Sequence, residues 1–166
     1  PENPELPFTS ISVRGTIEPH NRKVFLDPII IDFEGTKVNA SGSIQGELSR
    51  PTIAADVTIE GLPAHRIHEF WPKGLANDAR NWITTRILNG TITNLDAHLD
   101  IGPEDWGNAI SNRETIYAQF DIIDGSVDYL SGLPVAEKLV AAGWYDGIDL
   151  HLNITKGRIR EQILRS

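Results

Sequence analysis

The chain has 166 residues, with 23 acidic against 15 basic side chains and a net charge of −8 at neutral pH. Lys and Arg are scattered, which excludes the basic patch that nucleic acid or an anionic membrane surface requires. The absence of cysteine removes disulfides, thiolate catalysis and Cys-ligated zinc, and no apolar run approaches the roughly 20 residues that cross a bilayer as a helix.

Residues 1–7, with Pro1, Pro4 and Pro7, read as a linker. The length suits one domain or a slice of a longer repeat. Without an initiator Met, the chain is expected to be a fragment of a larger repeat protein whose membrane anchor lies elsewhere. Residues 8–61 read as a β-meander, because apolar and polar residues alternate. In Phe8–Ile17 the apolar side holds Ile11, Val13, Gly15 and Ile17. In Val24–Phe33 it holds Phe25, Ile29, Ile31 and Phe33. A tight turn at Glu34-Gly35 then sets Phe33 against Thr36, Ile31 against Val38, Ile29 against Ala40 and Phe25 against Ile44. Residues 46–51 (GELSRP) form a loop, and Ile53, Ala55, Val57 and Ile59 resume the alternation.

Residues 62–90 form the helical segment. Leu75, Ala79, Trp82, Ile83 and Ile87 recur at three- and four-residue steps, which places them on one packing face. Asn77 or Asp78 suits the start and Arg86 the end. Asn89-Gly90 supplies a stop. A shorter amphipathic turn spans His65 to Trp71, set apart by Pro72 and Gly74.

Residues 91–159 form a second β repeat. Leu95, Ala97, Leu99 and Ile101 face one way, then a polar loop covers 102–113, and Ile116, Ala118, Phe120 and Ile122 follow. The apolar phase changes at Asp124-Gly125, which means either a two-residue hairpin or a bulge. Propensity reads Val135–Ala142 as a short helix. Pairing instead reads Val140–Tyr145 as a strand, which we adopt. A two-residue turn at Asp146-Gly147 sets Tyr145 against Ile148, Gly143 against Leu150 and Ala141 against Leu152. Lys156-Gly157 reads as another turn, and 160–166 as a charged tail. The expected fold is mainly β: a curved antiparallel sheet, a groove or half-barrel of repeated strands, with one amphipathic helix region at about 63–89 packing on it or capping it.

No catalytic set emerges, and the chain reads as a non-enzyme without metal or cofactor. His65, His68 and Glu69 have ligand-like spacing, but no second cluster completes a metal site. Glu104-Asp105 lies in a loop, and nothing marks a facing carboxylate pair. The nucleophile elbow, the P-loop and the dinucleotide glycine motif are all missing. Trp71, Trp82 and Trp144 read as core or boundary residues, and Trp106, in a loop, as the best exposed contact.

The succession Leu62-Pro63, Trp71-Pro72, Ala79-Arg80-Asn81-Trp82 and Leu88-Asn89-Gly90-Thr91-Ile92 resembles the DUF3971 region of the YhdP/AsmA-like family of bacterial envelope proteins. Phe120 to Leu130, Gly132-Leu133-Pro134, Trp144-Tyr145-Asp146-Gly147 and Gly157-Arg158-Ile159 continue the likeness, which covers 62–159. The resemblance favours a bulge at Asp124-Gly125 and a strand before Tyr145. It implies a periplasmic module of a protein anchored in the inner membrane, guiding phospholipid or other acyl chains along a hydrophobic groove towards the outer membrane. The residues expected to line that groove are Ile29, Ile31, Ile53, Val57, Leu99, Phe120, Leu150 and Leu152. The alternative is a structural or protein-interaction β-module without lipid. Adjacent repeats of the parent chain, or self-association through open edge strands, would supply its partners.

Overall fold

A computed structural model describes residues 7–71, 73–106, 115–130 and 132–159. The linker before Pro7, most of the 102–113 loop and the tail 160–166 lie outside the described residues. The described chain is mainly β. Strands β1 (Ser10–Ser12), β2 (Gly15–Glu18), β3 (Lys23–Phe33), β4 (Thr36–Gln45) and β5 (Thr52–Pro63) precede the helical segment. That segment holds a 3-10 turn at Ala64–Arg66, then α1 (Ile67–Phe70) and α2 (Asn77–Arg86). Strands β6 (Ile87–Ile101), β7 (Ile116–Val127), β8 (Ala136–Tyr145) and β9 (Leu150–Ile159) follow. All nine join one open antiparallel sheet in chain order, with β1 and β2 both pairing β3 at one edge and β9 at the other.

The alternation produces continuous apolar rungs across the sheet. One runs through Ile11, Ile31, Val38, Ile59, Leu95, Phe120, Gly143 and Leu152. Its neighbour runs through Ile29, Ala40, Val57, Ala97, Ala118, Tyr145 and Leu150. Directly paired residues share a face, so one side of the sheet is apolar from edge to edge.

The Glu34-Gly35 hairpin has the expected register at Phe33–Thr36, Ile31–Val38 and Ile29–Ala40. The expected Phe25–Ile44 pair is not formed. Pro28 has no N–H to give the ladder, the register slips between Leu26 and Ile29, and Val24 takes Ile44 while Phe25 pairs with Ser43. Phe25 thus turns to the polar face, where the Lys23 ammonium lies 4.6 Å from its ring centre.

Asp124-Gly125 is a bulge inside β7, with the register shifting between Ile122 and Gly125. The stretch before Tyr145 is strand throughout. Lys156-Gly157 stays within β9 and does not turn. The β8–β9 connection is two residues longer than expected, so Gly143 meets Leu152 and Ala141 meets Ile154. Its loop is held by Asp146, whose Oδ1 accepts from the N–H groups of Ile148 (3.1 Å) and Asp149 (2.8 Å).

The helix ends earlier than expected. Ile87 is already extended, and Asn89-Gly90 lies within β6. Gly90, at φ +131°, serves a close approach of β6 to the β7 bulge, since a Cβ there would come within 2.9 Å of the Gly125 Cα. The start of α2 also differs: the N-cap is Ala76 in the left-handed region without a side-chain cap bond, although Asp78 and Arg86 do sit in the first and last turns.

Candidate functional site: an apolar recess beside a covered sheet face

The segment between β5 and β6 lies over the middle of the apolar face. Ile67 and Phe70 pack on the cluster built from Val38, Ile59, Leu62 and Ile92, with Ile31, Val57, Leu95 and Phe120 beside it. Leu75, Ala76, Trp71 and Ala79 pack on Ile101, Ile116 and Tyr145, with Ile53, Leu99 and Leu150 beside them. Phe70 meets Phe33 edge to face at 5.3 Å, a geometry that suits the ring quadrupoles.

Two indoles fasten this strap. Trp71 Nε1 donates to the Leu75 carbonyl at 2.8 Å. Trp106 Nε1 donates to the Pro51 carbonyl at 2.8 Å, and Trp106 forms a β-bridge with Leu75. Trp106 is therefore a half-buried clamp and not the exposed contact its loop position implied. Asp105 shapes that loop by accepting from the Gly102 N–H at 2.8 Å.

The expected groove residues divide by position. Ile31, Val57 and Phe120 lie against the α1 cluster, and Ile53 and Leu99 against the Leu75 cluster. Ile29 is half-buried towards the β1 edge. Leu150 and Leu152 instead line an apolar recess of about 270 Å³ between α2 and the β8–β9 edge, together with Ala79, Trp82, Ile83, Tyr145 and Ile148. No charged side chain lines it. Trp82, Ile148 and Leu152, exposed by 38%, 46% and 42%, form its open rim.

Of the expected helical packing face, Leu75 and Ile83 are buried, Ala79 packs on the core and Ile87 joins two smaller clusters. Trp82 departs from that face and stands at the recess. The sequence sets Tyr145 beside Ile148 across the turn after Tyr145, but not Trp82 beside them, because Trp82 reaches that hairpin only through the placement of α2. Tyr145 donates its hydroxyl to the Gly147 carbonyl at 2.7 Å. Its pKa is raised, by burial first and then by the neighbouring Asp146 carboxylate.

No chemistry centre appears among the described residues. Glu69 is ion-paired to Arg66 at 2.8 Å, His68 Nδ1 lies 2.9 Å from the His65 carbonyl, and no group of three metal-ligating side chains forms among the described residues. His98 and Asp56 meet at 2.8 Å on the wet face, both well exposed. No described helix is long and apolar enough to cross a membrane.

No family model, curated protein or solved structure matches this chain. The apolar recess is a candidate site among the described residues.

Proposed function

We propose that this chain is a non-catalytic module that binds or guides the acyl chains of phospholipids, within a larger envelope protein acting between the bacterial inner and outer membranes. The uncharged recess between α2 and β8–β9, at the flank of a continuous apolar sheet face, carries this reading. The envelope setting rests on the resemblance over 62–159 alone.

The volume bounds the ligand. A cavity of about 150 Å³ takes one benzene, so the 270 Å³ here takes a hydrocarbon stretch of about ten carbons. At ~0.8 kcal/mol per fully buried methylene, that stretch contributes at most about 8 kcal/mol, and less where it faces the open rim. Association itself costs at least ~4 kcal/mol. The balance gives weak, exchangeable binding of one tail, as a guiding surface needs.

Native mass spectrometry with lipid extraction, and displacement of a fluorescent fatty acid, test the reading. Saturable binding is expected, weakened at least about tenfold by Trp82→Glu, which sets a carboxylate at the rim. No binding at high lipid load, or binding indifferent to Trp82→Glu, would count against it. The alternative of a structural module without lipid draws on one observation: Ile31, Ile53, Val57, Leu99 and Phe120 are already packed under the strap.

A further inference from the structure

Helix α2 lies along β8. Ala79, near its start, packs on the cluster that includes Ile101, Ile116 and Tyr145. Ile87, just past its end, packs on Ile122 and Ala141. Strand side chains alternate, so Gly143 stands between Tyr145 and Ala141 on this face of β8. The floor beneath α2 is therefore shallow, with a hydrogen at Gly143 and a methyl at Ala141. Its walls are large. Phe120 and Ile122 pair with those two positions from β7, and Leu152 and Ile154 from β9. Phe120 and Leu152 lean over Gly143 and fill the dip. Leu152 also lines the recess, so the floor and the recess are contiguous.

The helix above is lightly held. Of the ten residues of α2, only Ile83 is buried. Its N-cap, Ala76, sits in the left-handed region at φ 45°, where a residue with a Cβ is strained. Arg80 Nε is buried without a hydrogen-bond partner among the described residues, and an orphaned donor costs stability. Thr84 and Thr85 bond back to the Arg80 and Asn81 carbonyls at 2.8 and 2.6 Å, a habit that weakens and bends helices. The firm fastenings of the strap are Leu75 and the Trp71 and Trp106 indoles, and all lie outside α2. Elements with few buried side chains open at lower cost than the core around them.

We infer that α2 is a movable cover, and that the path of an acyl chain continues from the recess along β8 beneath it, over Gly143 and Ala141. The inference rests on the acyl-chain reading and extends it. The recess of about 270 Å³ takes about ten carbons, and a longer tail needs more room. From Tyr145 to Ala141 the strand runs about 13 Å, enough for the remainder. When α2 rises, Phe120 and Leu152 turn aside, the tail takes the furrow, and Arg80 Nε reaches water.

A series of n-alkanols from eight to sixteen carbons, displacing a fluorescent fatty acid, tests the path. Affinity should keep rising beyond ten carbons, by at least about tenfold between ten and sixteen. The chain has no native cysteine, so paired spin labels at Asn81→Cys on α2 and Asp100→Cys on the opposite face of the sheet report the cover directly. Both positions are exposed and outside the recess. The sixteen-carbon alcohol should lengthen the label separation by about 4 Å, one layer of carbon–carbon contact, and the eight-carbon alcohol should leave it unchanged. An affinity that levels off at ten carbons, or a rise without the lengthening, would overturn the covered path and leave the recess standing. Absence of binding at every length would remove the acyl-chain reading and the path with it.

Discussion

Gly143 gives the sharpest test of the rung model. It occupies the Phe120–Gly143–Leu152 step of the main apolar rung. A Cβ added there would lie 2.6 Å from Phe120 Cζ, 2.7 Å from the His151 carbonyl oxygen and 2.8 Å from Leu152 Cδ2. For a strand glycine not held by its neighbours, alanine is the better residue by roughly 0.5–1 kcal/mol. Here overpacking costs about 1–3 kcal/mol, and the His151 oxygen belongs to the backbone and cannot rotate away. The net effect of Gly143→Ala is a loss of about 1–2 kcal/mol. For a chain of this length that lowers Tm by roughly 2–8 °C. Urea and thermal melts followed by circular dichroism measure it. Part of the cost comes from the Phe120 ring, so the same substitution in a Phe120→Leu background should be less damaging. A stabilising Gly143→Ala, or a cost unchanged by Phe120→Leu, would refute this packing.

Three further outcomes are expected. The raised pKa of Tyr145 means that the fold holds the phenolic proton more tightly than the unfolded chain does. Its contribution is present below the unfolded value near 10 and is lost as pH climbs through the higher folded value; stability should fall more steeply above pH ~10 in the native chain than in Tyr145→Phe, and ultraviolet titration should show one tyrosine ionising late. Trp106→Phe keeps most of the apolar bulk but removes the bond to the Pro51 carbonyl, costing about 1–2 kcal/mol in denaturant midpoints. Asp146→Ala removes the acceptor of the Ile148 and Asp149 N–H groups and should cost ~1–2 kcal/mol, with hydrogen exchange at those two amides speeding up before the rest of β8–β9.

The sheet was legible because period-two alternation and tight turns are local signals. Ile31–Val38 and its neighbours follow from counting outward from Glu34-Gly35. Alternation is blind, however, to shifts of two residues. The β8–β9 hairpin could be two or four residues long with the same residues facing the core, and the bonds within the loop, those of Asp146 and Tyr145 among them, go with the longer one. Pro28 is legible in the sequence as a residue that cannot complete the ladder, and the phase change it brings puts Phe25 on the polar face. Gly90 reads as a helix stop because glycine serves helix exits and close strand approaches alike; Gly125, thirty-five positions away, decides between them. The recess was half legible. Leu150 and Leu152 follow from alternation, whereas Trp82 and Ile148 depend on how α2 comes to rest over β8.

The place of the helical segment in the chain explains why the apolar face is neither open nor sealed. It is inserted between β5 and β6, which are adjacent central strands, so its cover is centred on them. The rungs emerge uncovered at both flanks, at Ile11 and Ile17 on one side and at Leu152 and Ile154 on the other, all more than 40% exposed. Under the proposed reading, the flank beside the recess is where an acyl chain would enter. This geometry dictates where function can be probed. A charge at Val57 or Leu99, both half-buried against the core clusters, would destabilise the chain under any function, since an unpaired charge set against apolar packing is costly. Trp82→Glu falls on an exposed rim position, so loss of acyl-chain binding there is attributable to the flank itself.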